Sequence, residues 1–316
     1  MTTGPGIQKG SDMTVSPLHE VSVQRDVVYG YGLCNASRVP THRALMMDVY
    51  RPAGPRDDAP RPCVILAFGG AFHRGSRQDD RFEADGQFNT PVAEYCRILA
   101  SHGYVACSID YRLVQEVPDP GQTRVLSGLV MNLDRVNVVR GILGLEPIGQ
   151  DGFRSAVEGA VDDMAMAFRF VSGAARRLGV DPARIVIGGF SAGGNISLTA
   201  SMCEDIDPAG VLCLSGSAHP DIIQTYAATG RDRFPVLLFS SENDLPVISG
   251  VVPYIHERLE NNAFPCRWRK VPGYGHFYPS GAALETGGTV LEEILDFLSE
   301  TTGHEAAQAE RRSNAA

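Results

Sequence analysis

Apolar residues gather into short runs along the chain, separated by longer stretches with helical spacing. Candidate strands are Val21–Val28, Leu45–Tyr50, Val64–Phe68, Val105–Ile109, Ile185–Gly188, Val211–Leu214, Val236–Ser240 and Arg267–Val271. The central ones are continuous apolar runs, which suits strands covered on both faces. Ahead of the fifth, Val157, Val161, Met164, Phe168, Val171, Ala175 and Leu178 recur at alternating spacings of four and three. That is one apolar stripe of a helix lying on a sheet. Leu178-Gly179 reads as a helix stop, and Asp181-Pro182 turns the chain towards the next strand. The repeated strand–helix order predicts an α/β fold with a mostly parallel sheet and helices on both faces.

One stretch breaks the rhythm. From Leu113 to about Ala156 the chain runs on where a short connection would suffice. It opens as a Pro- and Gly-rich loop and becomes amphipathic around Val125–Leu145. Its exposed Leu, Val and Met residues need a surface to pack on, so residues 113–156 are expected to form a small helical cap over a pocket. Residues 1–15 and 304–316 are polar and aperiodic and read as flexible tails around one domain spanning 16–303.

Composition narrows the function. With 316 residues, 43% hydrophobic and 21% charged, the chain is no collagen, coiled coil or disordered polymer. A net charge of −9 repels phosphate backbones and anionic lipid, so neither nucleic acid nor membrane is expected as a partner. There is no apolar signal segment and no run of about 18 apolar residues. The seven cysteines are odd in number and form no C-x-x-C. They read as buried reduced thiols of a cytoplasmic protein. An edge strand such as 267–271 would offer a surface for pairing in a homodimer.

The chemistry concentrates at strand ends. Gly189-Phe190-Ser191-Ala192-Gly193 follows an apolar strand and precedes a helical run. The G-x-S-x-G pattern is weak alone but informative in that setting, where a sharp turn lifts a serine hydroxyl to a helix N-terminus. A serine needs a base to become a nucleophile. His276, in the Gly/Pro-rich loop after the last strand, lies at the sheet's carboxyl edge, where open α/β sheets place their sites. His102 reads as a helix-end residue, and His19, His42 and His304 as solvated; His219 and His256 stay open as rivals. Asp244, after Val236–Ser240, is the candidate acid that holds the base's tautomer, with Glu242 as its competitor. The turn Gly69-Gly70-Ala71 after an early strand offers the amides of Gly70 and Ala71, joined by that of Ala192, as an oxyanion hole. The order Ser191, Asp244, His276 is that of the nucleophile elbow. No P-loop, H-E-x-x-H or clustered metal-ligand spacing is present. The pair Asp162-Asp163 reads as an exposed helix face.

Phe68-Gly-Gly-Ala-Phe72, Gly75-Ser76, Ile109-Asp-Tyr-Arg-Leu113, Gly-Phe-Ser191-Ala-Gly-Gly and the loops of Asp244 and His276 together resemble the α/β-hydrolase carboxylesterases, particularly the hormone-sensitive-lipase-like bacterial esterases. The resemblance implies an α/β-hydrolase fold with an eight-stranded, mostly parallel sheet, a cofactor-free Ser-His-Asp site, and ester hydrolysis through an acyl-enzyme. Two positions depart from the pattern. The family's His-Gly-Gly-Gly is Phe68-Gly69-Gly70-Ala71 here, and Phe190 stands where an acidic residue often precedes the nucleophile. Phe72, His73, Phe190 and the cap are expected to line an apolar pocket for a small to medium, uncharged, moderately hydrophobic ester. Lactone or aryl-amide hydrolysis, acyl transfer on the same triad, and a non-catalytic ligand-binding protein are the alternatives.

Overall fold

The computed structural model describes residues 19–36, 38–54, 59–121 and 124–304. In chain order its elements are β1 (Val21–Cys34), β2 (Thr41–Pro52), β3 (Arg61–Ala67), the two-residue strands β4 (Glu83–Ala84) and β5 (Gln87–Phe88), α1 (Val92–Ser101) and β6 (Val105–Ile109). A 3-10 turn at Val114–Glu116 leads to α2 (Asp134–Ile142), α3 (Gln150–Gly173), α4 (Ala175–Leu178), β7 (Val180–Phe190) and α5 (Ala192–Cys203). Then come β8 (Gly210–Leu214), α6 (Pro220–Ala227), β9 (Val236–Ser241), α7 (Pro246–Ser249), α8 (Val252–Asn261), β10 (Cys266–Val271) and α9 (Val290–Thr302).

Among the described residues, eight strands form one sheet in the order β1-β2-β6-β3-β7-β8-β9-β10. β2 is antiparallel to both neighbours, and the pairs from β6 to β10 are all parallel. Every residue of β6 and β8 is buried. Successive side chains point to opposite faces, so those strands are covered on both. All eight expected strands are present, most of them longer than the apolar runs suggest. The chain leaves β3 for β6 on one side and returns to β7 on the other. A crevice therefore opens between the carboxyl ends of β3 and β7, the topological switch point where such sheets bind ligands.

The α3 stripe is buried as its spacing predicts, and Gly179 ends α4 in the left-handed conformation. A second face of α3 made of small residues, Ala156, Ala160 and Ala167, is also fully buried. Asp163 lies on it with no exposure, which corrects the reading of Asp162-Asp163 as a solvated pair. Asp163 accepts from the backbone N–H of Arg112 at 2.8 Å and from its Nε at 3.0 Å. Two glycines of β1 give this assembly room. A Cβ on Gly30 would stand 1.8 Å from Met166 Sδ, and one on Gly32 2.5 Å from Arg112 Cδ.

Among the described residues, the excursion after Leu113 contains one α-helix, α2, and ends where α3 begins at Gln150, so 150–156 belong to α3. Side chains of α3 stitch it down. Glu158 accepts from Leu126 N–H at 2.9 Å, Gln150 exchanges two hydrogen bonds with the backbone of Met131, and Arg154 donates to Leu129 O at 2.8 Å. The expected tails lie outside the described residues except for His304. Its ring packs edge-on against Tyr104, and its Nε2 lies 3.2 Å from His102 O, so this histidine is packed rather than solvated. β10 is an edge strand carrying Arg267, Arg269 and Lys270; such charge disfavours pairing with another edge. All seven cysteines are unbridged. Among the described residues, no helix is long and apolar enough to cross a membrane.

Candidate active site

Ser191 is the N-cap of α5, with φ 55° and ψ −112°. A β-carbon disfavours that conformation, which costs on the order of 1–3 kcal/mol and persists only where the surroundings enforce it. Here they do. A Cβ on Gly189 would lie 2.3 Å from Ala67 O, and one on Gly193 1.9 Å from the same atom. Both glycines are therefore needed for the elbow to close against the end of β3. Register pairs Ala67 with Gly189, so the loop after β3 and the elbow after β7 are neighbours by construction.

His276 and Asp244 arrive from the far side of the sheet. Asp244 follows β9 and His276 follows β10, and the last register pair of those strands is Ser241 with Val271. His276 Nε2 lies 2.9 Å from Ser191 Oγ, and Nδ1 lies 2.6 Å from Asp244 Oδ1. With the proton on Nδ1, His276 donates to the carboxylate, and Nε2 is free to accept from the serine. Asp244 Oδ1 also accepts from Leu245 N–H at 2.8 Å, while Oδ2 accepts from Ser215 Oγ at 2.7 Å and Ser241 N–H at 3.0 Å. Ser215 Oγ lies 3.1 Å from the Tyr278 hydroxyl. So many donors on one buried carboxylate fix its orientation.

The rivals have other work. Glu242 accepts from Gly273 N–H at 2.8 Å and so holds the His276 loop. Gln87 grips the same loop, accepting from Gly275 N–H at 2.7 Å and donating to Gly273 O at 3.0 Å. His256 faces Trp268 and Glu260. His219 caps α6 and lines the cavity, but has no bond to Ser191 among the described residues. His102 is the C-cap of α1.

In the loop after β3, Gly70, Ala71 and Phe72 all have positive φ, at 106°, 54° and 62°. A Cβ on Gly70 would meet Arg74 O at 2.0 Å, which makes glycine necessary there, whereas Ala71 accepts the left-handed conformation. Among the described residues, no acceptor satisfies the amides of Gly70, Ala71 or Ala192, and these three residues share one cavity with Ser191 and His276. The loop is anchored although Phe68 stands where the family has a histidine. Phe68 stacks on Tyr111 at 4.3 Å, the Tyr111 hydroxyl donates to Phe68 O at 3.1 Å, and Asp80 accepts from Gly69 N–H at 3.3 Å and Val92 N–H at 2.8 Å.

Burial pushes Asp80 from 3.8 up to about 6, against those two backbone donors. The folded chain then keeps a proton between these values that the unfolded chain has released. The contribution of Asp80 to stability is thus greatest below pH 4 and falls as pH rises towards 6. Asp80→Asn removes this titration. The stability of the variant relative to wild type should therefore rise by on the order of 1–3 kcal/mol between pH 4.5 and 7. Urea unfolding at the two pH values reads the difference, whatever constant cost the substitution carries.

The cavity beside Ser191 measures about 240 Å³. Phe72, Phe153, Val157, Leu245, Val247, Ile248 and Val251 form its apolar wall, and Val130, Met131 and Val136 of the cap roof it. Two of the residues expected to line it do not. His73 is buried behind the loop, its Nδ1 2.7 Å from Ala71 O and its Nε2 3.1 Å from Arg140 Nη1. Phe190 is buried, its ring 5.2 Å from that of His276. The positive-φ run turns His73 inward, and the elbow turns Phe190 away from the side that presents Ser191.

Residues 158–299 match a family model described as phospholipase/carboxylesterase. Over 103 residues the chain is 32% identical to acyl-protein thioesterase 1 of Gibberella zeae, and the match covers 31% of this chain and 43% of that one. The chain thus spans less than half the length of this curated relative. Among solved structures it is similar to Thermogutta terrifontis esterase 2 phosphorylated by paraoxon, with TM-score 0.53, 18% identity, and 92% and 95% of the two chains covered. It is likewise similar to esterase B of Lactobacillus rhamnosis, with TM-score 0.55, 16% identity and coverages of 95% and 90%. The structural likeness shows that the fold is that of the α/β-hydrolases.

Proposed function

We propose that the protein is a serine carboxylic-ester hydrolase working through an acyl-enzyme. The observation that carries this reading is the unbroken chain from Ser191 through His276 to Asp244, set beside three unsatisfied backbone amides at the mouth of one cavity. His276 takes the Ser191 proton as the hydroxyl attacks the ester carbonyl. Negative charge develops on the carbonyl oxygen, where the amides of Gly70, Ala71 and Ala192 receive it without reorganising. His276 then protonates the leaving alcohol and activates water against the acyl-enzyme. Asp244 keeps the imidazole's tautomer and offsets its charge. The motif around Phe68–Phe72, the Asp110-Tyr111-Arg112 segment and the cap support a place among hormone-sensitive-lipase-like bacterial esterases.

The small cavity and its apolar wall favour short to medium acyl chains. In a series of p-nitrophenyl esters from acetate to dodecanoate, kcat/KM should peak at short or medium length and be at least about tenfold lower at dodecanoate, since each excluded methylene forfeits roughly 0.8 kcal/mol of burial. An optimum at dodecanoate would refute the pocket assignment, and no turnover across the whole series would refute the hydrolase reading.

A further inference from the structure

Arg74 and Arg135 both line the cavity that holds Ser191 and His276, and no Asp or Glu lines it with them. This is unexpected in a chain of net charge −9. The fully buried Arg112 is matched with Asp163, and Arg77 with Asp26, Asp48 and Asp110. Among the described residues neither Arg74 nor Arg135 meets a carboxylate, and Arg74 Nε is buried with no acceptor at all. Arg74 rises from the back of the Gly70 turn and lies 4.6 Å over the ring of Phe82. Arg135 comes from α2 in the cap. Burial, and secondly the charge of Arg74, lower its pKa, so the two cations feel one another. Two desolvated like charges are costly side by side unless an anion enters between them.

We propose that the ester bound here carries an anionic group, a carboxylate or a phosphate, held by the guanidinium groups of Arg74 and Arg135 while its apolar part lies against Phe72, Phe153 and Val157. The proposal deepens the hydrolase reading of this site and rests on it. A guanidinium presents a planar fork of donors suited to either oxyanion, and a positive pocket in an acidic protein concentrates such a substrate. The expectation of an uncharged ester counted apolar neighbours of Ser191 and overlooked both arginines. Hydrolysis itself is unchanged: water supplies the hydroxyl of the acid, the ester C–O bond breaks, and the alcohol leaves with a proton from His276.

The test compares matched substrates. Monoethyl glutarate against ethyl pentanoate places a carboxylate on the acyl side. Butyryl glycerol phosphate against butyryl glycerol places a phosphate on the alcohol side. In wild type at low ionic strength, kcat/KM for at least one anionic ester should exceed that of its neutral counterpart at least tenfold, and the favoured pair identifies the side and the anion. Arg135→Gln and Arg74→Gln should each lower that ratio about tenfold or more, mainly through KM, and Arg135→Lys should restore part of it. Ratios near one or below for both pairs, or a ratio unmoved by either glutamine variant, would overturn the proposal while neutral turnover leaves the hydrolase reading standing. Failure to hydrolyse any of the four esters would count against the hydrolase reading, and the anion site would fall with it.

Discussion

Ser191→Ala should lower ester turnover about 10⁴- to 10⁶-fold, the range seen when the nucleophile of a serine hydrolase is removed. The loss should appear in kcat and not in KM, because the cavity walls, the unsatisfied amides and both arginines remain in place. Any residual rate would come from His276 and the oxyanion amides acting on water. The folded state should tolerate the change. Alanine keeps the β-carbon that Ser191 carries at φ 55°, and the lost hydroxyl makes its bond to His276 at the cavity edge. Steady-state kinetics with p-nitrophenyl butyrate, beside a thermal melt, separates a chemical defect from a folding defect. Retention of more than about a tenth of the wild-type kcat would remove Ser191 from the chemistry.

The largest expected effect on stability lies behind the cap. Arg112 joins Asp163 through Nε and Nη2 and also donates to Leu33 O at 2.8 Å, Asp119 O at 2.7 Å and Gly159 O at 2.9 Å. It therefore ties β1, the start of the excursion and α3 to one side chain. Arg112→Ala strands a fully buried carboxylate and takes one donor each from three carbonyls. Breaking a buried pair from one side typically costs about 3–5 kcal/mol, or a Tm lowered by roughly 10 °C in a domain of this size. Burial already holds the pKa of Asp163 above its ordinary value, with Arg112 opposing. Without the guanidinium that carboxyl takes up a proton more readily, so the penalty should shrink as pH falls from 7.5 towards 5. Adding Asp163→Ala should cost less than the sum of the single changes, since the second removes what the first left unpaired. Equal Tm values for wild type and Arg112→Ala would show that this network does not hold the cap.

The grouping of Ser191, His276 and Asp244 was legible in the sequence because each residue sits where an apolar run ends in Gly or Pro punctuation, and strand ends of a parallel sheet share one edge. The residues that support it were not. Ser215 and, through it, Tyr278 reach Asp244 from two other loops, and Asp80 and Tyr111 reach the Gly69 turn from distant elements. Such bonds join residues far apart in the chain and leave no local pattern, although Ser215-Gly216 after the β8 run was a signal of the same kind as the others. Proximity in sequence also misled. His73 and Phe190 adjoin functional residues, yet both face inward, because backbone turns and strand alternation decide which way a neighbour points. Asp163 was misread because one apolar stripe marked α3 as half-buried. The alanines at 156, 160 and 167 carry a second buried face that small side chains announce only weakly. The glycines of β1 broke its apolar run, and their purpose, to admit Met166 and Arg112, is visible only in packing.

The central claim is that Ser191 is a nucleophile activated by His276. A serine so activated is open to an alkyl fluorophosphonate. The most direct measurement is the intact mass and peptide map of the full chain after such labelling. One adduct should form, on the peptide containing Ser191, with loss of ester turnover in step with labelling, and His276→Ala should slow its formation at least about 100-fold. An adduct on another serine, or full labelling at an unchanged rate in the His276 variant, would contradict the account.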